Sequence, residues 1–163
     1  MLIAVISDTH LPRGARRLPD ECIDRIAAAD LLLHAGDFST LEVLRELEAI
    51  RPPVVGVHGN VDSAELRRLL PEERVVEAEG ARVAMLHDAG PRAGRLARLR
   101  VRFGERADVV VFGHSHMPLH ERAEDGFQIF NPGSPTERRR APAHTMGLVE
   151  IRDGLPRCEL VSL

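Results

Sequence analysis

The feature that most constrains this sequence is a repeated unit in which a short apolar run ends at Asp, Asn or His. Leu2 to Ser7, Leu31 to Ala35, Val54 to Val57, Val83 to Leu86 and Val109 to Phe112 are such runs. They have strand length and apolar residues on both faces, the pattern of strands buried on both sides of a sheet. Amphipathic stretches separate them. Asp20 to Ala29 reads as a helix with Pro19 near its start, and Ser39 or Thr40 is placed to cap a helix running to about Ile50, stopped by Pro52 and Pro53. Ala64 to Leu70, ended by Pro71, and Gly94 to Phe103 complete the expected helices. Val75 to Glu79 is expected to join Val83 to Leu86 through Gly80. Beyond Phe112 the texture changes to strands near Leu119 to Ala123, Phe127 to Phe130, Met146 to Ile151 and Arg157 to Val161, with Asp125-Gly126 and Asp153-Gly154 as hairpin turns. Early βα units followed by late hairpins imply a mixed α/β domain with two packed sheets. The length, 163 residues, fits one domain over residues 1–163.

Composition removes several function classes. No apolar run approaches bilayer-spanning length, so no membrane partner is expected. The first residues enter a strand with no basic stretch before it and no small-residue cleavage site after it, which makes the cytoplasm the default address. The 22 basic residues are all Arg, against 25 acidic ones, giving a net charge of −3. This leaves no global basic field, and Trp and Tyr are absent as stacking platforms, so a stable nucleic-acid complex is not expected. Without Lys there is no Lys-based covalent chemistry. Cys22 and Cys158 have no metal-binding spacing and read as reduced packing residues.

Where the eight histidines fall decides the reading. Asp8 and His10 follow the first strand, Asp37 the second and Asn60 the third. His87 follows Val83 to Leu86, and His114 and His116 follow Val109 to Phe112. In open α/β sheets, ligands bind beyond the carboxyl ends of the strands, where all seven side chains would gather. Gly36, Gly59 and Gly113 each precede one of these residues, where a glycine is expected to let the chain turn sharply. Nitrogen and oxygen donors without thiolate suit Mn²⁺, Fe, Co²⁺, Ni²⁺ or Zn²⁺ better than Ca²⁺ or an iron-sulfur cluster. Seven donors exceed one ion's needs and fit two ions sharing a carboxylate, separated by roughly 3.5–4 Å. Two divalent ions outweigh the two aspartates, so such a site stays cationic and attracts phosphate.

The set Asp8-Thr9-His10, Gly36-Asp37, Gly59-Asn60-Val61-Asp62, His87 and Gly113-His114-Ser115-His116, followed by Asn131-Pro132-Gly133-Ser134, resembles the calcineurin-like metallophosphoesterases, in particular their small single-domain phosphodiesterase branch. The resemblance implies a four-layer α/β/β/α sandwich of two mixed sheets flanked by helices. It implies that Asp8, His10 and His116 hold one divalent ion, that Asn60, His87 and His114 hold a second, and that Asp37 bridges them. Manganese is the expected metal, with Ni, Co, Zn, Fe or Mg as alternatives. The implied reaction is hydrolysis of a small phosphate ester by in-line attack of a hydroxide bridging the two ions, with Asp37, Asn60 and His114 as catalytic residues.

Two departures from the family pattern stand out. Many larger members carry at the position of Val61 a histidine thought to protonate the leaving group, which valine cannot do. Asp88 stands where glycine is common and is expected to accept a hydrogen bond from a metal-bound imidazole. Asp62 either orients a ligand or caps the helix beginning near Ser63. His58 is expected to point away from the neighbourhood of Asn60. In the long irregular stretch from Pro132 to Pro142, Arg139 and Arg140 are candidate substrate contacts, the alternative being a solvated loop. His34, His120 and His144 read as packed or solvated side chains. The competing function is a scaffold or protein-binding module, as in the retromer subunit that resembles this branch; a phosphomonoesterase is the nearer alternative. The resemblance also leaves a homo-oligomer open.

Overall fold

The computed structural model describes residues 1–163. Its elements run β1 (Leu2–Ile6), α1 (Asp20–Ala27), β2 (Leu31–His34), α2 (Leu41–Glu48), β3 (Val54–Gly56), α3 (Ala64–Leu69), β4 (Glu73–Ala78), β5 (Ala81–Leu86), α4 (Arg95–Phe103), β6 (Val109–Val111), β7 (Leu119–Arg122), β8 (Gln128–Asn131), β9 (Thr145–Arg152) and β10 (Leu155–Ser162). Every expected helix and strand is present, with ends shifted by a few residues.

The strands form two five-stranded sheets, ordered β10-β9-β1-β2-β3 and β4-β5-β6-β8-β7. In the first, β1, β2 and β3 are parallel and β9 and β10 return antiparallel. In the second, β5, β6 and β8 are parallel, with β4 and β7 antiparallel at the edges. The late hairpins are therefore shared between both sheets. The β9–β10 turn places Asp153 and Gly154 at φ 52° and 76°, as a type I′ turn requires.

Alternation along the strands sorts apolar side chains into three layers. Ile3, Val5 and Leu33 meet Val83, Met85, Val109 and Val111 between the sheets. On the outer face of the first sheet, Ala4, Ile6 and Leu32 pack against Cys22 and Ile26 of α1, Val43, Leu44 and Leu47 of α2, and Leu66 of α3. On the outer face of the second, Ala84, Leu86 and Val110 pack against Leu99 and Phe103 of α4. Three apolar seams between four layers make the α/β/β/α sandwich. Each fully buried aliphatic side chain contributes about 1.5–3 kcal/mol, so the sheet-to-sheet seam fixes how the strand ends align.

Helix starts differ locally from expectation. Thr40 occupies the N-cap of α2 but makes no side-chain cap bond, whereas Ser63 Oγ accepts from the Leu66 N–H and caps α3. Ser63 thus takes the capping role and frees Asp62 for another. No helix is long and apolar enough to cross a membrane.

Candidate metal centre

The parallel strands of the two sheets deliver their carboxyl ends to one edge of the sandwich, and all seven candidate donors sit on the loops leaving them. The chain must reverse abruptly there. Asp8, His10, Asp37, His114 and His116 all have left-handed backbones, with φ of 56°, 46°, 62°, 66° and 59°. Each such non-glycine residue costs on the order of 1–3 kcal/mol, and strain of this kind concentrates at functional sites.

The expected turning role of the glycines holds only for Gly36, at φ 93°. Gly59 and Gly113 lie outside the left-handed region and serve close approach instead. A Cβ on Gly59 would overlap the Asp37 carboxylate, and one on Gly113 would overlap Ser7 Oγ and lie 2.7 Å from Asp8 Oδ2.

The donors fall into two touching groups. In the first, His10 Nε2 and His116 Nε2 are 3.1 Å apart with stacked rings, and His116 Nε2 is 3.5 Å from Asp8 Oδ1. In the second, His87 Nε2 lies 3.3 Å from Asp37 Oδ2 and 3.1 Å from Asn60 Oδ1, while His114 Nδ1 is 2.9 Å from Asn60 Oδ1. Asp37 Oδ2 is also 3.6 Å from His10 Nε2, which puts this carboxylate between the groups. Single ligand atoms from Asp8, His10 and His116, and likewise from Asp8, Asp37 and His87, lie within 4.8 Å of one another.

Backbone carbonyls set the tautomers. His116 Nδ1 donates to the Glu137 carbonyl at 2.6 Å and His87 Nδ1 to that of Ala35 at 2.8 Å. A carbonyl only accepts, so in each neutral ring Nε2 presents its lone pair to the cluster. Asp8 Oδ2 is buried with no hydrogen-bond partner. Converging lone pairs and an orphaned carboxylate oxygen are what divalent cations satisfy and what a protein without them pays to bury.

Ionisation follows the same logic. Burial pushes Asp8 up to about 7. Burial likewise lowers His116 to about 4 and holds His10 below the usual histidine range, so both rings stay neutral and able to ligate. Burial opposes ionisation of Asp37 too, but its contacts with His87 and the Val61 N–H prevail and bring it to about 2. For His87, burial favours the neutral ring, and the Asp37 hydrogen bond and Asp8 charge more than offset it, leaving its pKa raised.

Asp62 does not cap α3, since Ser63 does. Its carboxylate accepts from the N–H groups of Asp37 at 3.1 Å, Ser39 at 2.7 Å and Gly59 at 2.7 Å, tying the loops after β2 and β3 together. Asp88 does not have the role expected of it: it is exposed and closes its own turn on the Gly90 N–H, since the acceptor for His87 is the Ala35 carbonyl. His58 also differs from expectation. The strand ends at Gly56, alternation stops, and His58 shares a cavity with Asn60 and His87.

Of the Arg run, Arg138 bonds the Ala141 carbonyl and Arg140 is exposed, whereas Arg139, at φ 46°, lies near enough for its charge to act on Asp8, His10 and His116. His34 is fully buried, stacked on Phe38 and bonded to Thr9 Oγ1 at 3.1 Å. His120 bonds Gln128 Oε1 at 2.8 Å, outside the cluster. A cavity of about 650 Å³ opens near residues 107–108 and 126–128, at the opposite ends of β6 and β8 from the cluster.

Sequence reasoning gave no role to three residues that hold the site's rear wall. Asn131 Nδ2 donates to the Gly113 carbonyl at 2.8 Å, and Ser134 Oγ donates to the Asp8 carbonyl at 2.8 Å. The Glu137 carboxylate takes Arg16 at 3.1 Å and stands 4.0 Å from His10 Nε2. The Asn-Pro-Gly-Ser turn was the available signal for the first two; Glu137 carried none.

The chain belongs to the calcineurin-like phosphoesterase superfamily, whose domain matches residues 1–154. It is 37% identical to a probable metallophosphoesterase of Methanothermobacter thermautotrophicus, over 97% of this chain and 96% of that protein. It is 26% identical to a phosphodiesterase of Methanocaldococcus jannaschii, over 82% of this chain and 83% of the relative. Its fold is similar to that of Entamoeba histolytica Vps29 complexed with Zn²⁺, at a TM-score of 0.77 and 24% identity, covering 99% of each chain. The family and the donor clusters support a metal-dependent phosphoesterase that uses divalent ions.

Proposed function

We propose that the protein is a binuclear phosphodiesterase. Asp8, His10 and His116 would hold one divalent ion, Asn60, His87 and His114 would hold the other, and Asp37, which lies between the two groups, would serve both. The carrying observation is the pair of imidazoles whose Nδ1–H groups are committed to carbonyls, leaving His116 Nε2 beside Asp8 Oδ1 and His87 Nε2 beside Asp37 Oδ2, while Asp8 Oδ2 is buried without a partner. Bound divalent ions, manganese foremost, supply Lewis acidity toward the phosphoryl oxygens and acidify the attacking water.

The chain's own groups do the rest. Asp37, held ionised, and Asn60 fix the geometry between the two halves of the site, and the Asn60 amide donates to a phosphoryl oxygen. His114, exposed at the mouth and bonded to Asn60, orients that amide. Arg139 adds a positive charge on the open side, where it draws in a monoanionic diester. Hydrolysis adds the oxygen of water to phosphorus, breaks one P–O ester bond, and releases an alcohol and a phosphomonoester.

Diester preference agrees with the name of the Methanocaldococcus relative. The Vps29 likeness keeps a scaffolding role as the second reading, but a scaffold gains nothing from buried, strained donors. The test is hydrolysis of bis(p-nitrophenyl) phosphate and p-nitrophenyl phosphate by metal-stripped protein, with Mn²⁺, Ni²⁺, Co²⁺, Zn²⁺ or Mg²⁺ restored. Metal-dependent turnover favouring the diester is expected; no turnover with any metal would favour the scaffold.

A further inference from the structure

A cavity of about 270 Å³ opens beside the metal centre, between the loop after β3, the segment entering β4 and the end of β5. Asn60 and His87 form part of its wall. One ester arm of a diester seated at the centre therefore has this cavity beside it. The volume, just under that of usual small-molecule sites, has room for a polyol or a single sugar ring but not for an oligomer.

The polar groups facing the cavity define what that arm can be. Both Glu73 oxygens are taken, by Arg102 at 2.6 Å and Arg106 at 3.0 Å. Arg67 donates to the carbonyls of Asp62 and Asn60. Acceptors are left over on this wall: the exposed Glu72 carboxylate and the second oxygen of Asp88, beside the one bonded to Gly90. Two cations, Arg67 and Arg102, face three carboxylates, Glu72, Glu73 and Asp88, which is a slight acidic excess. Hydroxyl hydrogens find partners here, whereas a second phosphate meets an excess of carboxylates.

We infer that this cavity is the leaving-group subsite and that it selects an uncharged, hydroxyl-rich alcohol, an assignment that rests on the phosphodiesterase reading above. The P–O bond to that alcohol breaks, and the alcohol leaves through the cavity carrying one proton.

The test uses two dialkyl diesters of equal charge, bis(2,3-dihydroxypropyl) phosphate and diethyl phosphate. In ¹⁵N-labelled, metal-stripped protein, the dihydroxypropyl diester is expected to shift the amides of His58, Asp88 and Gly90 while diethyl phosphate does not. Glu72→Ala should weaken that binding about tenfold, the loss of one or two hydrogen bonds. With metal restored, kcat/KM should favour the dihydroxypropyl diester at least tenfold, and Glu72→Ala should erase the preference through KM rather than kcat. Equal shifts with both diesters, or a preference that survives Glu72→Ala, would overturn the subsite even if bis(p-nitrophenyl) phosphate is hydrolysed. Selective amide shifts with no turnover of any diester would uphold the polyol-phosphate site and overturn the hydrolase reading instead.

Discussion

Removing the Asp62 carboxylate tests how the centre is held together. It accepts three backbone N–H groups, from Asp37 and Gly59, which are buried, and from Ser39, which is half-buried. Orphaning a buried N–H costs about 1–3 kcal/mol, and the Ser39 group can recruit water, so Asp62→Ala should destabilise the metal-free protein by about 3–4 kcal/mol. That is a large share of the roughly 5–15 kcal/mol a domain has. Asp62→Asn discriminates further. Oδ2 serves both Asp37 and Gly59 while Oδ1 serves Ser39, so an asparagine keeps two bonds if its oxygen takes the Oδ2 place. Its NH₂ then faces the Ser39 N–H, for a cost of about 2 kcal/mol. Urea unfolding in EDTA reads both values. The reasoning is refuted if Asn is as damaging as Ala, or if both variants lose under about 1 kcal/mol.

Three other outcomes follow from the geometry. Gly113→Ala should lower divalent-metal affinity at least tenfold by calorimetry, because the added Cβ meets Ser7 and the Asp8 carboxylate. In metal-free protein, Asp8 is pushed up to about 7 from 3.8, so the folded state holds a proton that the unfolded chain releases. That contribution is complete below pH 3.8 and is lost as pH rises through about 7; relative to Asp8→Asn, wild type should lose up to about 4 kcal/mol across that window in EDTA. Arg139→Ala should raise KM for bis(p-nitrophenyl) phosphate several-fold and change the unfolding midpoint little, as its side chain is exposed.

The fold was legible because its strands are short, apolar and broken by Pro and Gly, so period and punctuation agreed over most of the chain. The gathering of the candidate donors was legible for a related reason: a charged or polar residue directly after a buried strand has nowhere to go but the sheet edge. What the sequence hid is local and three-dimensional. Asp62 reads equally as a cap or an orienting group until Ser63 is seen to take the cap. Gly59 and Gly113 invite a torsional explanation, yet the left-handed turns fall on Asp37 and His114 and the glycines only make room. His58 escaped because alternation says nothing beyond the end of a strand. Glu137 acts on His116 through its carbonyl, a contact that no side-chain pattern encodes.

The account turns on two ions bridged by Asp37, and metal content per chain tests it most directly. Mn²⁺-reconstituted protein, desalted and analysed by inductively coupled plasma mass spectrometry, should carry two ions per chain, and Asp37→Asn, which neutralises the carboxylate common to both groups, should carry none. One ion in wild type, or two retained in Asp37→Asn, would contradict it.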